Sequence, residues 1–361
     1  MAKPNMMYAF DHIPVLNSST GGNVPVYAAD YPFTYVASTQ QPFGGGGSFS
    51  DTDGIWLQSA AASQFISPNT YTAVGMWRAP VSALWDSTKP RSYQGCHFKL
   101  GGTAPTNPTQ VPILSFYQGV TQYPLCAFAD FAWVVGQMYF VEVMLDRVAN
   151  TRTVWVDGNM VVNAAVLAST TYQGTDLFAW GTTAAQAGGG ANYSYSFKDI
   201  YVMDDVVGAG ATGRLGPIIS KPITIASASG AGWTPSTGTI TSALNTAVNT
   251  TTPSTPNVAT ATDGTPLAAT LATTADAGAV VQGVLLFASG SKNPATGTML
   301  RTTIQDQAQP PNSVTLNPIS FPATTFQYGK VLGFMPSAPD GSSWNAAKIA
   351  ALQASVVASA T

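Results

Sequence analysis

Between Gln137 and Val162 the chain reads QMYFVEVMLDRVANTRTVWVDGNMVV, and its apolar residues recur at every second position. Tyr139, Val141, Val143 and Leu145 fall on one side of an extended segment, and Phe140, Glu142 and Met144 on the other. After a turn at Ala149, Asn150 and Thr151, the residues Thr153, Trp155 and Asp157 alternate with Val154 and Val156. A period of two is a strand period, and Asp157-Gly158 tolerates the positive φ that a type I′ hairpin turn requires. The stretch therefore reads as antiparallel hairpins. IWLQSA, TYTAVGMWRAP and YSYSFKDIYVM repeat such patterns between Gly, Pro and Asn. Short strands at this spacing predict a mainly β chain built on a sandwich.

The rest of the chain divides by texture. An N-terminal arm with a first strand is expected over 1–35 and the sandwich over 36–207. A connector rich in Gly, Ser, Thr and Ala follows over 208–276 and leads into a second domain. It buries little by composition and reads as long loops or an ordered arm. A β-rich C-terminal unit is expected over 277–361, where AVVQGVLLFASG and TMLRTTIQD supply strands. GSSWNAAKIAALQASVVASA is the one good helix by spacing. Ser342 or Ser343 is expected to cap it, with Ala346, Ile349, Ala350, Gln353 and Val357 continuing it.

Charge limits the function classes. Only 9% of residues are charged and the net charge is −3, against roughly 25% charged in typical soluble proteins. With 14 scattered Lys and Arg there is no basic footprint for nucleic acid. A freely diffusing protein relies on charge to stay dispersed, so the composition predicts a subunit whose surface is covered in an assembly, above all with copies of itself. No signal peptide is visible in MAKPNMMYAFDHIPVL. The most apolar window, Cys126 to Leu145, is broken by Asp130, Gly136, Gln137 and Glu142 and suits strands better than a membrane span. Cys96 and Cys126 leave a disulfide or two buried thiols open, the thiols being the simpler reading.

Several motifs invite chemistry and fail on mechanics. Gly208, Gly210 and Gly213 spell a dinucleotide fingerprint. The following RLGPIISKPITIASASG is extended by its prolines and isoleucines, so no helix N-terminus faces a phosphate. Glycosidases on a sandwich need two carboxylates flanking the bond. The chain has a single glutamate, Glu142, with no acid two residues away, and Asp146, four residues on, is expected just past the strand end. It reads as a solvated or salt-bridged strand residue, and the pairs Asp51/Asp53 and Asp204/Asp205 lack apolar surroundings that would raise one pKa. His12 and His97 are the only histidines, and Cys96, His97 and Cys126 have no zinc spacing. His12 reads as a packing or interface residue. No Gly-x-Ser-x-Gly elbow and no phosphate loop occur. Trp77, Trp133, Trp155 and Trp180 read as sandwich core, although exposed aromatics on such a face can stack on sugar rings.

Taken in order, these pieces resemble a family of tailed-phage virion structural proteins. The likeness is carried by Phe10, Asp11 and His12, by GGGSFSDTDGIWL, by YFVEVMLDRVANTRTVWVDGNMV and by FKDIYVMDD. It continues in LGPIISKPITIASASGAGWTPSTG, ending at Trp233, Thr234 and Pro235, and in GSSWNAAKIAALQ. Lys198 and the long Thr/Ala insert depart from the family pattern. The resemblance implies an N-terminal jelly-roll, concanavalin-like (laminin-G-like) sandwich and a smaller C-terminal β domain. It implies a non-enzymatic virion subunit, made in the host cytoplasm and partnered by other virion proteins. A tail-associated fibre, adaptor or baseplate-type role is expected, with capsid decoration and recognition of a host surface glycan as alternatives. Laminin-G-like sandwiches sometimes hold calcium in rim loops, which makes Asp51 and Asp53 the candidate metal residues. DTDG is no EF-hand, because Ala62 stands where its glutamate would. No other cofactor is expected.

Overall fold

In the computed structural model Asp157 and Gly158 have φ of 49° and 82°, the type I′ geometry that matches the twist of the flanking strands. The structure describes residues 6–8, 34–37, 46–51, 54–60, 75–80, 91–102, 112–118, 121–146, 148–167, 177–181, 193–205, 214–219, 223–247, 258–260, 264–272, 279–290, 298–316, 318–320 and 327–360. The chain divides into two units, with the boundary between Ser220 and Lys221.

The first unit holds β1 (Met6–Tyr8), β2 (Thr34–Ala37), β3 (Gly46–Asp51), β4 (Gly54–Ala60), β5 (Gly75–Pro80), β6 (Arg91–Gly102) and β7 (Pro112–Gln118). It continues with β8 (Thr121–Ala127), β9 (Met138–Asp146), β10 (Thr151–Val156), β11 (Asn159–Val166), β12 (Leu177–Gly181) and β13 (Tyr193–Asp205). They form an eight-stranded sheet in the order β11-β10-β9-β6-β13-β4-β3, with β1 also paired to β13, and a five-stranded sheet in the order β2-β5-β12-β7-β8. All pairs are antiparallel, as the hairpin reading requires. The β-sandwich is thus borne out.

Its core forms on one of the two faces that the alternation marks on β9. Tyr139, Val141, Val143 and Leu145 are buried with Cys96, Phe98 and Leu100 of β6, Val154 and Val156 of β10, Phe197 of β13 and Trp180 of β12. Phe98 meets the edge of Trp133 at 4.9 Å and lies 5.7 Å from Phe197. Cys96 and Cys126 are both free and buried, which settles the cysteines as thiols.

The second unit contains β14 (Thr224–Ser229), β15 (Trp233–Pro235), α1 (Ile240–Ala247), β16 (Val258–Thr260), β17 (Pro266–Ala272), β18 (Val284–Gly290) and β19 (Thr298–Gln305). β20 (Ser313–Thr315), β21 (Ile319–Ser320), β22 (Gln327–Met335), α2 (Ala346–Ala350) and β23 (Gln353–Ala360) complete it. The main sheet runs β14-β17-β23-β19-β20, with β21 on β19; β15-β16 and β18-β22 are separate ribbons. Strands and a helix therefore occupy part of the stretch that composition reads as loops or an arm. Asn245 of α1 explains how β14 ends the sheet: its side chain accepts from Ile225 N–H and donates to Ile225 C=O, both at 2.8 Å. Thr241 accepts from Ala228 N–H at 2.9 Å. Side chains of a helix thus make the bonds a further strand would make, and the open edge is blunted.

The C-terminal helix is present but shorter than its spacing suggests. α2 ends at Ala350, and Gln353–Ala360 forms β23 between β17 and β19. Pairing on both edges outweighs the helix propensity of an alanine-rich segment, and Val356 and Val357 favour the strand. The cap is Asn345, whose side chain accepts from Lys348 N–H at 2.9 Å, rather than Ser342 or Ser343. Trp344 anchors the turn in a core with Ile304, Met335, Ile349 and Leu352, donating from Nε1 to Met335 C=O at 2.8 Å.

Candidate functional site

The outer face of the larger sheet, away from the core, carries the most chemistry among the described residues. Register places Trp155 opposite Glu142, Glu142 opposite Gly95 and Gly95 opposite Tyr201. Four strands thus contribute one transverse row on one face. Gly95 makes the row possible: a Cβ there would lie 2.1 Å from Tyr201 Cε1. The missing side chain lets the phenol ring lie across β6, so that its hydroxyl donates to Glu142 Oε1 at 2.7 Å. Burial, then the charge and hydrogen bond of Glu142, push the Tyr201 pKa well above its ordinary value, so the hydroxyl keeps its proton.

Arg214–Ile219 lies against this face as a strap after β13, bent at Pro217. Gly216, at φ 74°, donates its N–H to Glu142 Oε1 at 2.9 Å, and Arg214 Nη1 meets Oε2 at 3.2 Å. Leu215 N–H points to the Tyr201 hydroxyl at 3.4 Å, and the Arg214 guanidinium sits 4.5 Å from the Trp155 ring centroid. Ile218 is buried with Tyr93, Phe140 and Tyr201. Glu142 is only 1% exposed. It is salt-bridged, as the sequence allowed, but it is not solvated. Beside the row, His97 Nδ1 lies 2.9 Å from Asp199 Oδ2, both side chains buried, and the imidazole meets Phe140 edge-on at 4.9 Å. Asp199 takes φ 50° at a bulge in β13, which turns its carboxylate onto the histidine.

The other sequence candidates separate. Trp133 and Trp180 are buried, as expected, but Trp155 is half-buried on the outer face and not in the core. The Trp77 side chain lies outside the described residues. Asp146 is engaged elsewhere, by Arg91 at 2.9 Å and by the amides of Val148 and Ala149 at 3.0 and 2.8 Å. Asp51 ends β3 opposite Gly54. Its side chain, Asp53, His12, the glycines 208, 210 and 213, and the side chains of Asp204 and Asp205 lie outside the described residues. Among the described residues no group of three His, Cys, Asp or Glu is placed to hold a metal, and no helix is long and apolar enough to cross a membrane. No helix begins at Arg214, in line with the failed fingerprint. Tyr201, Arg214 and Gly216 escaped sequence reasoning. One signal was available: Gly95 interrupts a strand of large residues, and a glycine there marks a close approach.

No family model matches the chain, and no curated protein does. Solved structures similar to it include domain 4 of an extracellular arabinanase from Geobacillus stearothermophilus in complex with arabinotriose. The two share 11% identity, 56% of this chain and 93% of that one are covered, and the TM-score is 0.36. A carbohydrate esterase of the Shiga toxin-encoding bacteriophage phi24B is similar at 16% identity, with 55% and 98% covered and a TM-score of 0.31. Lectin II from Ulex europaeus is similar at 13% identity, with 56% and 99% covered and a TM-score of 0.29. These likenesses concern the β-sandwich alone and transfer no substrate or reaction. The expectation of a chain without enzymatic activity is not kept, since an arabinanase domain and a carbohydrate esterase stand among these similar structures; likenesses of this size give the chain no activity of their own.

Proposed function

We propose that the chain is a carbohydrate-recognition subunit of a tailed-phage particle, its sandwich meeting a glycan on the host surface. The observation that carries this reading is Trp155, a half-buried indole on the outer sheet face beside the Arg214 guanidinium and the Glu142 carboxylate. Sugars are bound by an aromatic face for their C–H patches and by fixed charged groups for their hydroxyls; the row holds both kinds of group, with Arg214 over the indole and the Glu142 carboxylate enclosed beneath it. Binding of the purified protein to an array of oligosaccharides tests it, with Trp155→Ala as the control. Specific binding that disappears in the variant, with the far-ultraviolet circular dichroism unchanged, supports the reading. Binding untouched by Trp155→Ala overturns it.

A second reading is architectural: a tail fibre, adaptor or baseplate-type subunit, or a capsid decoration, that assembles with itself and other virion proteins. It is supported by the scarcity of charge and by the exposed Val134 and Val135 on the loop before β9 and Met138 at the start of that strand. That loop is held rigid by Gly136 N–H to Leu100 C=O at 2.7 Å and by Val134 N–H to the Tyr139 hydroxyl at 2.9 Å. Light scattering and electron microscopy of the full chain decide it, since a monomer at high concentration would count against assembly.

A further inference from the structure

The strap does more than cover a seam. A seam between a sheet and a crossing segment is served as well by apolar side chains, because a buried ion pair at best roughly matches well-packed hydrophobic residues. Here the chain's only glutamate stands at the centre of the face. The strap meets it with a backbone N–H and a guanidinium, donors of the kind that sugar hydroxyls also supply. Beneath lie the Trp155 indole, the Tyr201 phenol and Phe140, an aromatic floor around one acceptor. The grip is uneven. Glu142 is fully enclosed, whereas the Arg214 side chain is 32% exposed, so water reaches the guanidinium side of the pair and not the carboxylate side. Pro217 and Ile219 on either side of Ile218 are exposed, so the apolar grip of the strap is the buried Ile218 and the partly buried Leu215.

We propose that Arg214–Ile219 is a gate seated in the carbohydrate site itself. It occupies the floor formed by Trp155, Glu142 and Tyr201, and a glycan enters by taking the donor positions of Arg214 and Gly216 on Glu142. The inference rests on the carbohydrate reading and adds where the sugar sits and which segment yields to it. A seated gate lowers apparent affinity by the fraction of molecules it closes. A strap down in about nine molecules of ten weakens binding about tenfold.

The test uses the full chain against an oligosaccharide array, with the tightest-binding oligosaccharide then titrated by calorimetry. Arg214→Ala loosens the strap and leaves the floor intact, so affinity should rise about five- to tenfold. Glu142→Gln should weaken binding at least tenfold. Hydrogen exchange on the wild-type chain gives a readout independent of folding variants: the 214–219 amides should exchange faster when the oligosaccharide is added. If the sugar binds through Trp155 but Arg214→Ala leaves affinity unchanged or lower, or the amides stay equally protected, the gate is refuted and the carbohydrate reading stands. If neither wild type nor Arg214→Ala binds any oligosaccharide, both fall.

Discussion

Replacing Gly95 by alanine tests the transverse row most directly. The added Cβ would meet Tyr201 Cε1 at 2.1 Å and Cδ1 and Cζ at 2.8 Å, distances that no side chain tolerates. Tyr201 is fully buried and stacks against Phe140 at 6.5 Å, so the ring must leave its seat. Overfilling a packed site costs about 1–3 kcal/mol, and the lost hydrogen bond to the Glu142 carboxylate about 1.5–3 kcal/mol. Gly95→Ala should therefore destabilise the sandwich by about 3–5 kcal/mol, read as a lower urea midpoint by tryptophan fluorescence. The decisive measurement is a double-mutant cycle with Tyr201→Ala. Once the ring is gone, Gly95→Ala has room. Gly95 has no positive φ to preserve, so the loss of unfolded-chain freedom should stabilise by about 0.4–1 kcal/mol. A reversal of sign between the two backgrounds is expected. An equal cost in both would refute the claim that Gly95 exists to seat Tyr201.

Three other outcomes follow from the packing. Burial pushes the Cys96 thiol far up, with Asp199 adding to it, and burial does the same to Cys126. Neither should react with a disulfide reagent at pH 8 in the native chain, and both should on unfolding. Burial alone would raise the Asp146 pKa, but the Ala149 amide, Arg91 and the Val148 amide outweigh it and hold the carboxyl below its ordinary value. A depressed folded pKa gives stability that is present above the unfolded value and lost as pH falls through the folded one. Asp146→Asn should thus cost about 1–2 kcal/mol at neutral pH and flatten the acid limb of a stability–pH profile. Asn245→Ala should uncover the β14 edge, and sedimentation should show concentration-dependent association absent from the wild type.

The legible parts of the sequence were local. The run from Gln137 to Val162 shows its strands, its type I′ turn and its two alternating faces because each signal sits within a few residues of the next. The outer face was opaque for the opposite reason. Glu142 meets Tyr201 from 59 residues away, Arg214 from 72 and Gly216 from 74. No periodicity encodes such distances, so Glu142 read as a lone strand carboxylate and Trp155, alternating correctly, as core. The C-terminal segment misled differently. In Gln353–Ala360, alanines and valines fit a helix spacing and a strand spacing alike, and the strands on either side decide between them.

The same geometry changes what the shortage of charge means. By composition alone, few charges imply a surface covered by partners in an assembly. Yet acidic groups of the described residues repeatedly join segments apart in sequence: Glu142 with Arg214, Asp146 with Arg91, Asp130 with Arg152 and, by a hydrogen bond, Asp199 with His97. Each of these carboxylates is largely buried, and each holds a loop, a strap or a bulge that apolar packing would let slide. Arg152 shows the pattern most plainly, bonding both oxygens of Asp130 and also the Leu125 carbonyl at 2.7 Å. A chain with 14 basic and 17 acidic side chains that commits them to such joints has fewer still to spread over its exterior. Among the described residues fewer acidic side chains are then left for the exterior than the composition implies, and Val134, Val135 and Met138 stand exposed there.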